Sequence, residues 1–305
     1  MDRNQHTLRE SCRFEGKGLH TGTYAHMTVS PAPVGHGIRF RRTDLPGAPV
    51  IDALAENVTN TARSTTIACG GAEAVTIEHI MSALAGLGVD NALIDLDNRE
   101  VPILDGSARP YVEAFMRDGL VDQGVPCVYI DIPQTLEIRD DKTGSRIRIE
   151  PADVPSADIT VDFGSRILGV QSAHWDESVD YAHEIGVCRT FCFFHEIEYM
   201  LSNNLIKGGD VDNAIVIVEH PVSAEQLSAI STLLSMPDLT VTDQGYLNNL
   251  RLHFPDECGR HKLLDLLGDF RLAGGRLNAR ITAFKPGHTL NTQAAKALRA
   301  ILKNN

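Results

Sequence analysis

Arg260-His-Lys-Leu-Leu-Asp-Leu-Leu-Gly-Asp269 reads as a helix with two opposed faces. At about 100° per residue, Leu263, Leu264, Leu266 and Leu267 gather on one side. His261, Asp265 and Asp269 stand four apart and project from the other. The apolar side calls for a core to bury it. On the polar side, an imidazole followed four residues later by a carboxylate can hold a divalent metal, as two histidines do on a zinc-protease helix. Two ligands do not close a catalytic zinc site, which usually takes three and keeps one position for water. A third ligand and the acid and base groups must come from elsewhere.

The 305 residues, 43% of them apolar, suffice for two domains with cores of their own. A net charge of −12 argues against a nucleic-acid binder, which usually carries a basic excess. Six cysteines without a CxxC pair fit a reducing compartment. The first residues, MDRNQHTLRE, show no apolar signal segment, and no apolar run is long enough to span a bilayer. These features predict a soluble cytoplasmic protein that does not span the membrane.

Working back along the chain, residues 7–14, 24–30 and 38–42 alternate like strands. Between the first two lies Glu15-Gly-Lys-Gly-Leu-His-Thr-Gly22, a tight turn around His20 that is either a plain hairpin loop or a place for backbone to approach a ligand. Thr76-Ile-Glu-His-Ile-Met-Ser-Ala-Leu-Ala-Gly-Leu-Gly88 is a helix, with Thr76 as its expected cap and glycines at its end. Glu78 and His79 fall in its first turn, where unpaired N–H groups favour a carboxylate. A strand over 91–96, a loop at Asp105-Gly-Ser107 and a helix over 110–118 follow. Asp122-Gln-Gly-Val-Pro126 is the expected linker. It divides an N-terminal α+β domain (1–125) from a C-terminal one (126–305). Strands over 128–132, 136–139, 146–150 and 159–163 then alternate as in an antiparallel sheet. The aromatic run Cys188-Arg-Thr-Phe-Cys-Phe-Phe194 leads into a helix over 196–203, and a strand over 276–284 leads to a Gly287-His288 loop and a final helix over 292–302.

The two halves echo each other. Helix, strand and loop run from His79 to Asp105-Gly-Ser107, and again from His261 to Gly287-His288. The expected fold is therefore α+β: two similar domains, each a sheet layered with helices (a duplicated β-α-α-β sandwich), with the active site between them. If the helix starts converge there, His79 can complete a ligand set with His261 and Asp265; spacing alone leaves that open. Zinc in such a site lowers the pKa of its water toward ~7. Glu78 beside His79 could take the proton, or merely complement its helix dipole. His288 could protonate a leaving group with Asp269 holding its second nitrogen, or lie in a solvated turn. Lys262 could bind an anionic part of a substrate.

These motifs together resemble the bacterial UDP-3-O-acyl-N-acetylglucosamine deacetylases, the zinc amidases of lipid A synthesis. The resemblance covers nearly the whole chain. It rests on Gly16-Lys-Gly-Leu-His-Thr-Gly22, Thr76-Ile-Glu-His79, Val101-Pro-Ile-Leu-Asp-Gly-Ser-Ala108, Arg189-Thr-Phe191, Arg260-His-Lys-Leu-Leu-Asp265 with Gly268-Asp269, and Gly287-His288. It implies one Zn2+ per chain held by His79, His261 and Asp265. It implies Glu78 as general base, His288 as general acid oriented by Asp269, and Thr190 at the oxyanion. Lys262, Phe191, Phe193 and His20 would meet the substrate, UDP-3-O-acyl-N-acetylglucosamine. Met200, Leu201, Leu205 and Ile206, in an insert over about 196–211, would line a passage for its acyl chain. It also implies a monomer. Ser64 stands where some relatives carry Cys near the metal, and His195-Glu196 replaces an Arg-Asp pair.

Overall fold

A computed structural model describes residues 4–197, 213–233 and 236–304. Two sheets carry the architecture. In the first, the strand order is Cys12–Lys17, Tyr24–Pro31, Ala92–Leu96, Ile38–Arg42, Val50–Asp52. In the second it is Leu136–Asp140, Ser145–Pro151, Arg276–Phe284, Ser156–Asp162, Val170–Asp176, with Tyr129–Asp131 also paired to Arg276–Phe284. Within each five-strand path the last strand in sequence sits in the middle. It pairs antiparallel with the second strand and parallel with the third. The duplication expected from the sequence is therefore present strand by strand. Tyr24–Pro31 shows why each sheet has one core face: Ala25, Met27 and Val29 are buried, while Tyr24 and His26 between them are exposed.

Helix α1 (Glu78–Gly86) precedes the central strand of the first sheet, and α2 (Arg109–Asp118) follows it. Helix α3 (Ala224–Leu233) belongs to a small satellite around Phe194, Val216 and Leu247. Helix α4 (Glu257–Arg271) precedes the central strand of the second sheet, and α5 (His288–Asn304) follows it. Helix α4 lies on Ser156–Asp162 and Val170–Asp176, and α5 on Leu136–Asp140 and Ser145–Pro151. Helices α1 and α4 pack on each other more extensively than any other pair of elements. One core runs through both halves and includes Ile80 and Leu84 of α1 with Leu263, Leu264 and Leu266 of α4.

Several expectations are corrected. Residues 7–14 are not one strand: Asn4–Leu8 pairs with Leu120–Pro126, and a separate strand starts at Cys12. That pairing makes a strand of the expected linker at Asp122–Pro126. Thr76 does not cap α1. It has φ of 60° and its hydroxyl donates to Glu100 Oε1. His288 is not in a loop but begins α5, because Pro286-Gly287 already completes the turn. The polar side of α4 does not face solvent: His261, Asp265 and Asp269 are as buried as the leucines, being covered by α1 and α5. The insert residues Met200, Leu201, Leu205 and Ile206 lie outside the described residues. Among the described residues no helix is long and apolar enough to cross a membrane.

Gly268 is where α1 and α4 touch. A side chain there would collide with the carbonyl oxygen of Glu78 and crowd the Ser82 backbone nitrogen. Overpacking of a tight core typically costs about 1–3 kcal/mol. Gly268→Ala should therefore lower the denaturant midpoint by a corresponding amount and impair whatever site the helix pair holds. Unchanged stability would mean that the two helices separate freely.

Candidate active site

The first turn of α1 and the middle of α4 bring three metal-ligating side chains together. Ligand atoms of His79, His261 and Asp265 all lie within 4.8 Å of one another. Asp265 Oδ1 is 3.4 Å from His261 Nε2 and 3.9 Å from His79 Nε2, and the two imidazoles meet edge to face at 5.1 Å. Each ligand is prepared for a cation. Burial, with His261 nearby, lowers His79 to about 3, and burial likewise lowers His261, so both rings are neutral near pH 7. His261 Nδ1 lies 3.0 Å from the Cys188 carbonyl, which can only accept. That fixes the proton on Nδ1 and leaves the Nε2 lone pair facing Asp265. Burial works against ionising Asp265, but His261, Lys262, His288 and His79 more than offset it and hold the carboxyl far below the usual range. Its Oδ2 accepts from Lys262 Nζ at 2.8 Å, whereas buried Oδ1 has no hydrogen-bond partner among the described residues. A carboxylate oxygen left unpaired between two imidazole nitrogens fits a divalent ion.

A second group of side chains flanks this triangle. Burial, reinforced by Asp265 and Asp269, raises Glu78 to about 7 despite the nearby His288. Its Oε2 accepts from the Thr65 backbone N–H at 3.0 Å, and its Oε1 is 3.9 Å from His288 Nε2. For His288, burial disfavours the charge, but Asp269, Glu78 and Asp265 overcome it and raise the ring to about 9. Its Nδ1 is 3.0 Å from Asp269 Oδ2. Asp269 also accepts from Thr65 Oγ1 at 2.6 Å and Asn291 Nδ2 at 2.9 Å. Near the C-terminus of α4 a carboxylate is poorly placed for the helix dipole, and these side-chain donors compensate.

The other predicted site residues within the described chain lie outside this inner set. Phe191 lies 6.3 Å from the His261 ring, and the Lys262 ammonium sits 5.5 Å from the centre of Phe191. Phe193 is one step removed, joined to Phe191 through Phe163. Thr190 is half-buried and docks on Asp105-Gly-Ser107 by donating its backbone N–H to Gly106 O at 2.8 Å. Gly106 has φ of 78° and no room for a side chain against the Asn213 carbonyl, so the loop needs glycine there. His20 has its Nε2 buried and without a hydrogen-bond partner among the described residues; burial lowers its pKa, and Arg63 and His288 push the same way against Glu100.

Sequence reasoning missed the residues that hold this set in place. Glu100, fully buried, accepts from His20 N, Thr21 N, Thr21 Oγ1 and Thr76 Oγ1 and thereby ties the glycine-rich turn to the entry of α1. Glu257 pairs with Arg189 at 2.8 Å and fixes the Cys188–Thr190 segment against the first turn of α4. Only Asn291 left a usable trace, three residues beyond His288 on the same helix face. An apolar cavity of about 100 Å³ lies at the other end of α1, lined by Leu84, Val89, Leu267, Phe270 and Trp175, and includes none of the metal-ligating residues.

The family model described as UDP-3-O-acyl N-acetylglycosamine deacetylase matches residues 5–231 and 235–300. The "Bifunctional enzyme LpxC/FabZ" of Porphyromonas gingivalis is 43% identical over 99% of this chain, which spans 65% of that relative's length. The enzyme of the same name from Bacteroides thetaiotaomicron is also 43% identical, with 64% of its length spanned. The "UDP-3-O-acyl-N-acetylglucosamine deacetylase" of Xanthomonas euvesicatoria pv. vesicatoria is 39% identical over 97% of this chain and 90% of its own length.

The ligand triangle yields a direct expectation. Metal-free protein titrated with a divalent ion such as Co2+ should saturate at one ion per chain, read from its absorption spectrum. Asp265→Ala should weaken uptake by more than the ~10–100-fold typical of losing an outer partner, whereas Phe193→Ala should leave it unchanged. Equal affinity in Asp265→Ala and parent would remove the triangle as a metal site.

Proposed function

The chain belongs to the UDP-3-O-acyl N-acetylglycosamine deacetylase family, and on that premise we propose that it hydrolyses the N-acetyl amide of UDP-3-O-acyl-N-acetylglucosamine. The products are UDP-3-O-acyl-glucosamine and acetate, in the committed step of lipid A synthesis. The observation that carries the reading is one buried constellation: three ligands drawn from α1 and α4, with a carboxyl of pKa about 7 and a protonated imidazole beside them. The names of the Xanthomonas and Porphyromonas relatives point the same way.

In this proposal His79, His261 and Asp265 hold one zinc ion. When bound, the ion supplies Lewis acidity toward the attacking water and the amide carbonyl. Glu78 accepts the proton of that water, a task for which a pKa near the working pH is optimal. Its Oε2 is held by Thr65 N, so the base is aimed before substrate arrives. His288 carries its transferable proton on Nε2 and gives it to the departing amine, while Asp269 holds Nδ1. Thr190 would donate to the developing oxyanion. Lys262 and Phe191 would meet the sugar nucleotide, with His20 and Phe193 further out; Met200 and Leu201 would serve the acyl chain. Six unpaired cysteines support a cytoplasmic setting for a chain acting as a monomer.

Glu78→Ala should reduce acetate release from UDP-3-O-acyl-N-acetylglucosamine by at least about 10²–10⁴-fold. Zinc content by atomic absorption should remain near one per chain, because Glu78 is not a ligand. Near-normal turnover in that variant would sink the assignment of the base.

A further inference from the structure

Among the described residues, Thr65 bonds to both sides of the proposed chemistry. It is fully buried. Its backbone N–H donates to Glu78 Oε2 at 3.0 Å, and its hydroxyl lies 2.6 Å from Asp269 Oδ1. The same hydroxyl oxygen is 3.3 Å from His288 Nδ1. We propose that Thr65 is a positioning residue whose hydroxyl locks the Asp269–His288 pair while its backbone aims Glu78. The proposal rests on the deacetylation reading above and adds a residue to it.

The hydrogen-bond inventory leaves little choice of arrangement. An ionised carboxylate only accepts, so the proton in the Thr65–Asp269 contact belongs to Thr65. A hydroxyl has one proton, and once that is committed its oxygen can only accept from a third group. The third group is His288 Nδ1, which must then carry hydrogen and share it between Asp269 Oδ2 and Thr65 Oγ1. The ring is thereby held at Nδ1 by two residues that are themselves bonded to each other. Its other nitrogen, Nε2, is aimed at the reaction side, 3.9 Å from Glu78 Oε1 and 4.0 Å from Asp265 Oδ2. Asn291 Nδ2 supplies the remaining donor, to Asp269 Oδ2, so Thr65 is the side chain holding Oδ1. A residue with no exposed surface does not touch substrate, so Thr65 acts through Asp269 and His288.

Thr65→Val removes the hydroxyl at nearly constant shape and keeps the backbone N–H to Glu78. Deacetylation of UDP-3-O-acyl-N-acetylglucosamine by this variant should show kcat lower by about ten- to a hundredfold, with KM within about twofold and zinc content unchanged. Thr65→Ser, which restores the donor, should recover kcat to within about threefold of the parent. Because the effect runs through the bonded Asp269–His288 pair, adding Thr65→Val to Asp269→Asn should cause a much smaller loss than it causes in the parent. Should Thr65→Val fail to fold, Thr65→Cys, a weak donor of similar size, carries the same expectations. Parental kcat in Thr65→Val, a serine variant as impaired as the valine one, or the full loss repeated in the Asp269→Asn background would each overturn the role. A parent protein that releases no acetate overturns the proposed function instead.

Discussion

The contact between Gly268 and the carbonyl of Glu78 governs the rest of the structure. It lets α1 and α4 approach at backbone distance, with no side chain between them. Because the approach is so close, residues on both facing surfaces lose water, and the polar side of α4 becomes interior. His261, Asp265 and Asp269 are each at most 2% exposed. A buried polar surface is tolerable only if its groups satisfy one another. Much of the surrounding architecture can be understood as meeting that demand. The turn before α5 delivers His288 and Asn291 to Asp269, and the entry to the strand Thr66–Cys69 delivers Thr65. The Arg189–Glu257 pair delivers the Cys188 carbonyl to His261.

Burial also sets the electrostatics. Three carboxylates, Glu78, Asp265 and Asp269, face one ammonium at Lys262 and one imidazole at His288 within a site that excludes bulk water. Desolvation and its neighbours raise Glu78 to about 7, while Asp265, bonded to the Lys262 ammonium and near the protonated His288, stays ionised. Two neighbouring carboxyls are thus driven in opposite directions. Environments that push titratable groups apart in this way are how one site comes to hold a base, an acid and a ligand together. The same burial keeps His79 and His261 neutral, the state a metal requires.

The helix at 260–269 and the repeat built around it were legible because they depend on local periodicity. A His and an Asp four apart share a face wherever the helix goes, and the leucines show which face is inward. The repeat showed helix, strand and loop twice over, but not the order of strands within each sheet, which depends on long-range pairing. What escaped was set by tertiary contact. Val170–Asp176 does not read as an alternating strand, since the polar Gln171 is buried while the apolar Val170 beside it is exposed. The linker reading of Asp122–Pro126 failed because its partner strand, Asn4–Leu8, lies more than a hundred residues away. Thr65 sits among Thr59, Thr61 and Thr66, and no local rule distinguishes it. Glu100 looked like any loop acid, although four donors converge on it.

The helix pair holds a second buried charge cluster, and the contrast between the two separates structural polarity from functional polarity. At the far end of α1, Asp90 Oδ1 accepts from Arg271 and Arg276, and Oδ2 accepts from Arg276 and from His6 N. Two guanidiniums face one carboxylate, and both of its oxygens are engaged. Such a cluster fastens α4 and the second sheet to the loop after α1 and asks for no further anion partner. At the near end the balance is reversed: carboxylates outnumber cations, and Asp265 Oδ1 is left unpaired between two neutral imidazoles. An interior pays to bury a charge only where something repays it. At the far end the fold repays it within the chain; at the near end the missing partner is a cation. The same duplicated scaffold thus carries a latch at one end and a reaction centre at the other, distinguished by whether its acceptors are filled.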